Sequence, residues 1–519
     1  MLSITKERKR NMPIVSLQYI LFWGIIFLLY YTLFKNRQWI LLLVASTFFY
    51  ALAGARLFVF IIITSISTYI AALYIEKQKD NRKCKIIVGF TLIINITILA
   101  ILKYFNFFAG NINWLNQKLG VDFSLPAMKL FLPLGISFYT FQTIGYLIDV
   151  YRGKYKPEKN LAKYFLFVIY FPHIIQGPIA KFDLLGKQLF EKHELEYKNV
   201  KFGLQLMLWG FFKKILIADQ LGLLVDNVFN NYQQYAGIQY IIATVAYAIQ
   251  IYADFSGCMD IVSGVSQTFG IELSLNFKRP YFSKTIPEFW RRWHITLGDW
   301  FREYLFYSVQ RSSFIIKLTK TTKNIFGKKL GREIPVYLAL LVVWFTTGLW
   351  HGASWNYVIW GVYYGILIIS SMIFAKPIKR FVKHLKINVE CESFQLFRIL
   401  RTFFLVCIGY VFFRAENLET VFYMLKSMVS TFNIEIFFNS QIFEMGLSAR
   451  KLLLVSICII LLLVVSIAQE KMCLREKLEQ QNFVFRWIIY WSGIVVTMLG
   501  FLMQNGGFGE TVKFIYMQF

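Results

Sequence analysis

The sequence predicts an all-α, polytopic integral membrane protein, and three observations predict it. Hydrophobic residues make up 57% of the 519-residue chain and charged residues only 16%, with a mean hydropathy of +0.51; soluble domains carry roughly 25% charge. Apolar runs near the ~20 residues that cross a bilayer recur along the whole length. Lys and Arg gather in short segments between these runs, as in Lys6–Arg10, Glu76–Lys85 and Lys317–Arg332.

In chain order, the runs place spans at 14–34, 38–55, 57–75 and 86–104, which read as ordinary lipid-facing helices. The next are 131–150, 161–176, 203–221, 236–257, 335–350 and 353–374, and the last are 397–413, 450–469 and 485–503. Short or proline-broken members of this set count as re-entrant, leaving 11 to 13 true spans. The first run, Pro13 to Phe34, is too long for a signal-peptide core and no small-residue cleavage site follows, so it is expected to remain as a span. From Phe131 to Tyr364, polar and small residues interrupt the apolar runs, as in Phe171-Pro172-His173-Ile174-Ile175-Gln176-Gly177-Pro178 and Asp254-Phe255-Ser256-Gly257-Cys258-Met259-Asp260. Such interruptions are tolerated at membrane depth only against protein or a water-filled cavity, so this region is expected to surround one. No internal repeat or Pro/Gly/Ser-rich linker divides the chain. The polar stretch Lys376–Ser393 is the best seam, separating a core at 1–375 from a C-terminal section at 394–519.

The formal charge of +27 is read as orientation and headgroup contact rather than nucleic-acid binding. Placing Lys35, Arg37 and Glu76–Lys85 in the cytoplasm puts more basic residues inside than placing Lys6–Arg10 there, and is the expected arrangement. Cys84, Cys258, Cys391, Cys407, Cys458 and Cys473 are scattered without a Cys-x-x-Cys pair, so neither a metal site nor a disulfide framework is expected.

After Pro287, which suits a first helical turn, a 100° period puts Trp290, Trp293, His294, Leu297, Trp300, Phe301 and Tyr304 on one helix face. Arg291, Arg292, Asp299, Arg302 and Glu303 fall on the other. Five charges at the bilayer centre would cost on the order of 15 kcal/mol, so this helix belongs at the interface or inside the protein. It delivers His294 into an aromatic interior. A second histidine, His351, sits in Gly348-Leu349-Trp350-His351-Gly352. Of five histidines, these two lie in tryptophan-bearing stretches, and imidazole is the usual proton-transfer group near neutral pH. The plain alternative for each is a packing residue bonded to a neighbour. For Asp254 it is an ion pair between spans, and for Arg291 and Arg292 it is headgroup anchoring.

These stretches resemble the membrane-bound O-acyltransferase (MBOAT) family, in its bacterial polysaccharide-modifying branch. The resemblance rests on Pro287–Leu297 with Trp300–Leu305, on Leu349-Trp350-His351-Gly352-Ala353 with Trp355 and Trp360-Gly361, on Gln176-Gly177-Pro178-Ile179, on Tyr252–Gly257 with Asp260, and on Phe514–Phe519. It runs from about residue 38 to the C-terminus. One departure is Phe306-Tyr307-Ser308-Val309-Gln310-Arg311, where many relatives carry a Pro-Leu-Gly-Gly-Asn type of turn. The resemblance implies helices around a central funnel in a bacterial plasma membrane, and an enzyme that moves an acyl group, expected to be acetyl. The donor would be a cytoplasmic thioester (acetyl-CoA or an acyl-carrier protein), with no bound cofactor or metal. The acceptor would be an extracytoplasmic polysaccharide, reached through an SGNH-hydrolase-like partner. His351 would be the base or a transient acyl acceptor, and His294 its partner, orienting substrate or stabilising charge. Trp350, Gly352, Trp290, Trp293, Arg291, Arg292, Asp254 and Ser256 are the candidates for lining the substrate path. Two alternatives remain open: D-alanyl transfer to teichoic acid from a carrier protein, and a non-enzymatic glycan or lipid transporter. No Gly-x-Ser-x-Gly elbow or Walker loop offers a soluble-type site.

Overall fold

The computed structural model describes residues 12–54 and 57–503. The Lys6–Arg10 cluster and the Phe514–Phe519 stretch lie outside them. Among the described residues every regular element is a helix; the single β-type pairing is an isolated bridge between Phe277 and Trp293. Among the described residues eight helices are long and apolar enough to cross a membrane, and two shorter apolar ones cover Leu17–Tyr31 and Gln38–Leu52. The chain is a multi-pass all-α membrane protein, drawn into two compact units from several stretches of sequence.

The first unit takes the described residues within Met1–Phe212, Gly257–Ser274 and Gln481–Gln518. Its longest helix, Asn81–Leu119, starts where the Asp80 carboxylate accepts from the Arg82 N–H (2.8 Å) and stops at Gly120, left-handed at φ 69. Two of its expected spans take a different form. The 161–176 run is a nine-residue helix, Leu161–Ile169, because Pro172 follows and the chain closes into turn bonds, His173 N–H to Tyr170 O and Gly177 N–H to His173 O. The 203–221 run is split between Tyr197–Phe211 and a π-helical stretch, Phe212–Ala218. Tyr197–Phe211 crosses the later half of Ile238–Thr268 at small residues: a methyl group on Gly203 would lie 2.6 Å from the Gly264 carbonyl oxygen.

The second unit takes Lys213–Ser256 and Leu275–Gln480. At its centre Ser313–His351 packs against Trp355–Ile373. The first of these is two helices joined at Gly327 (φ 76, ψ 171); the joint falls inside the basic Lys317–Arg332 region, and the second helix runs on through the apolar stretch that ends at His351. Within the polar 376–393 stretch, Ala375–His384 forms a further helix.

The expected single helix after Pro287 is broken. Ile286–Arg292 ends at Trp293, which is extended (φ −110, ψ 129), and His294 is left-handed (φ 46, ψ 51) before Ile295–Trp300 begins. The backbone there bonds outward to a neighbouring segment: Lys278 N–H to Arg292 O at 2.9 Å and Ile295 N–H to Asn276 O at 3.0 Å. These bonds replace helical ones and explain the break. Sidedness survives it, since Trp293, His294, Leu297, Phe301 and Tyr304 are buried and Arg291 and Arg302 are exposed.

Candidate active site

His351 is the last residue of its helix, held in place by a close helix crossing. A methyl group on Gly348 would strike the Tyr357 carbonyl oxygen, and one on Gly361 would strike that of Trp344. Only glycine lets the two backbones approach so far. The crossing puts the rings of Trp350, Trp360 and Phe413 edge-on to the His351 imidazole, at centroid distances of 4.9, 4.9 and 5.3 Å. Gly352 caps the helix beneath the Tyr357 ring.

His294 reaches the same aromatic cluster from the other motif. Its ring lies 5.9 Å from that of Trp350 and 4.9 Å from that of Phe255. The Trp350 indole therefore touches both imidazoles. Trp290 joins through Trp360 (5.6 Å), Trp344 (4.8 Å) and Tyr364 (4.9 Å). Trp293 belongs to an adjoining cluster with Phe277 (5.0 Å), Phe289 and Tyr281. His294 is only 1% exposed and His351 4%. His294 lies between two short helices outside the candidate spans, where burial pushes its pKa down to about 3.

The remaining candidates lie in ion pairs and hydrogen bonds or at the surface. Asp254 and Ser256 flank Phe255 on Ile238–Thr268. The Asp254 carboxylate accepts from Lys214 Nζ at 2.6 Å, and Ser256 Oγ accepts from Lys213 Nζ at 2.9 Å. Lys214 also pairs with Asp219 at 2.7 Å, and all three side chains are nearly inaccessible. Arg292 bonds Glu288 (3.0 Å) and Glu470 (2.8 Å), and Glu470 also holds Arg279. Arg291 faces outward.

Sequence reasoning missed Lys213, Lys214, Asp219, Asn276 and Phe413. The two lysines had a signal, adjacent cations inside the apolar run Phe211-Phe212-Lys213-Lys214-Ile215. Asn276 and Phe413 had none beyond residue type. The arrangement offers two imidazoles in a buried aromatic enclosure, suited to moving a proton away from bulk water.

Comparison with known proteins gives the chemistry a class. The family model for the membrane-bound O-acyltransferase family matches residues 158–413. A probable alginate O-acetylase, AlgI, of Pseudomonas syringae pv. tomato is 34% identical over 78% of this chain and 72% of its own. A peptidoglycan O-acetyltransferase of Helicobacter pylori is 31% identical over 76% and 73%. A teichoic acid D-alanyltransferase of Bacillus subtilis is 28% identical over 56% and 71%. Fold and relatives together define a multi-pass membrane enzyme that transfers acyl groups to oxygen. The chain belongs to the membrane-bound O-acyltransferase family.

Proposed function

We propose that this enzyme moves an acetyl group from a cytoplasmic thioester, acetyl-CoA or an acyl-carrier protein, toward hydroxyls of an extracytoplasmic polysaccharide in a bacterial plasma membrane. An SGNH-hydrolase-like partner makes the final ester. The observation that carries the reading is Trp350, whose indole lies against both motif histidines in one buried aromatic enclosure. Acetyl is favoured over D-alanyl because the acetyl-transferring relatives match more of the chain at higher identity.

In this mechanism His351 takes the proton of a hydroxyl on the first acceptor, from which the partner then passes the acetyl group to the polysaccharide. The hydroxyl oxygen adds to the thioester carbonyl, and the tetrahedral oxyanion collapses to the ester and a thiolate, which recovers the proton. His294 orients the acceptor or steadies charge, and Trp350, Trp360, Trp290 and Phe413 exclude water that would hydrolyse the thioester. Gly352 ends the helix beside His351 under the Tyr357 ring, and Trp293 belongs to the aromatic cluster next to the path.

The test is the O-acetyl content of surface polysaccharide in cells carrying wild type, His351→Ala or a deletion, with membrane levels matched. Acetyl esters should vanish equally in the variant and the deletion, consistent with loss of a proton-transfer group worth ~10²–10⁴-fold. Loss of ester-linked D-alanine with acetyl unchanged would transfer the reading to the teichoic-acid branch.

A further inference from the structure

Building on the reading that His294 serves the reaction site, we infer that Asn276 is a positioning residue that holds His294 as its Nδ1–H tautomer and presents Nε2 as a lone-pair acceptor toward the substrate. Three groups meet one side-chain atom of Asn276: Thr296 N–H at 3.1 Å, Thr296 Oγ1 at 2.9 Å and His294 Nδ1 at 3.3 Å. A peptide N–H only donates, so that atom is the amide oxygen and not the amide nitrogen. An amide oxygen only accepts, so His294 Nδ1 carries the hydrogen. In a neutral imidazole the lone pair then sits on Nε2. Burial keeps the ring neutral around pH 7.

Asn276 is itself well anchored. It is 2% exposed, and its backbone carbonyl accepts from Ile295 N–H. Its neighbour Phe277 forms the bridge with Trp293. The helix Ile295–Trp300 has His294 at its N-cap position with no capping side-chain bond of its own. The Asn276 oxygen supplies that cap from a remote segment, bonding the second helical N–H. One oxygen thus starts the helix and sets the histidine's tautomer.

The assignment chooses between the two roles given to His294. A lone pair at Nε2 accepts from a hydroxyl or amide hydrogen of the acceptor substrate, beside the hydroxyl that His351 deprotonates. It has no hydrogen to give to an oxyanion. Substrates that lack a donor next to the reacting hydroxyl are therefore poor acceptors.

The test uses the full chain in lipid nanodiscs, labelled with ¹⁵N at its five histidines. The His294→Asn spectrum identifies the His294 signals, because asparagine tolerates the left-handed backbone. Wild type should show a protonated Nδ1 and an unprotonated Nε2 at neutral pH, and Asn276→Asp, which retains the acceptor oxygen, should preserve this pattern. Asn276→Ala should mix the tautomers and lower polysaccharide O-acetylation at least ~10-fold, with no further loss when added to His294→Asn. A wild-type His294 protonated at Nε2 overturns the assignment, as does an Asn276→Ala variant with an unchanged tautomer. If Asn276→Ala does not fold, the wild-type and Asn276→Asp spectra decide. Full acetylation by His294→Asn would sink the functional reading of His294, whatever the spectrum; a wrong tautomer sinks Asn276 with that reading intact.

Discussion

His294 is buried, neutral and left-handed, and each property has a measurable effect. Its folded pKa, near 3, lies below the ordinary 6.5. Below pH 6.5 the unfolded chain therefore binds a proton that the folded chain refuses, and stability falls by about 1.4 kcal/mol per pH unit until the folded pKa is reached. Above pH 6.5 the contribution is constant. Between pH 7 and 5, wild type should lose about 2 kcal/mol more than His294→Asn, read from the unfolding midpoints of both proteins in detergent. An equal loss would mean that His294 is solvated. The two histidines stood out in the sequence as imidazoles beside tryptophans in apolar surroundings, and the fold brings both rings against Trp350. Asn276 was not legible, since its role depends on a bridge between segments that no local pattern encodes.

Among elements, Ile238–Thr268 carries a buried charge lock on one turn. Removing the Asp254 carboxylate leaves Lys214 with Asp219 as its remaining carboxylate among these ion pairs. Asp254→Ala should cost about 3 kcal/mol, the low end for breaking a buried pair. The loss should appear as less folded protein in the membrane, with normal acetylation per surviving molecule. A drop in specific activity at unchanged stability would instead give Asp254 a part in the chemistry. At the Gly348–Gly361 crossing, Gly361→Val pushes a side chain into the Trp344 carbonyl. It should cost about 1–3 kcal/mol and depress acetylation by displacing His351, measurable as a lowered melting midpoint beside the ester content. The aromatic-in, charge-out division of residues 287–304 was legible from the helical period. The break inside it was not, because hydrophobic period reports which side is buried and is nearly blind to one residue that reverses its backbone sign.

For the molecule as a whole, hydropathy located spans that face lipid and also the largely buried Ile238–Thr268, but it does not separate a span from a short buried helix. The 397–413 run matches Glu392–Arg414. The 161–176 run is apolar for another reason: Tyr164, Leu166, Phe167, Val168 and Ile169 are wholly buried, and composition alone does not separate a protein interior from a bilayer. The topology has a direct check in the cysteines. Cys391 precedes Glu392–Arg414 and Cys473 follows Ala449–Lys471, with two candidate spans between them, while Cys84, Cys258 and Cys407 are buried. Two crossings return the chain to its starting side, so a membrane-impermeant maleimide added to intact spheroplasts should label Cys391 and Cys473 together or not at all. Labelling of one alone would show that one of the two helices does not cross.

The left-handed backbone at His294 also bears on descent. A change of one nucleotide turns a histidine codon into an asparagine codon, and asparagine is among the few residues at ease with that backbone. A gene copy drifting this way keeps its shape and its place in the membrane while losing an imidazole. At His351, inside a regular helix, the backbone imposes no such filter on replacements. On the proposed mechanism, position 294 therefore gives duplicated genes a short path from catalyst to silent binding protein.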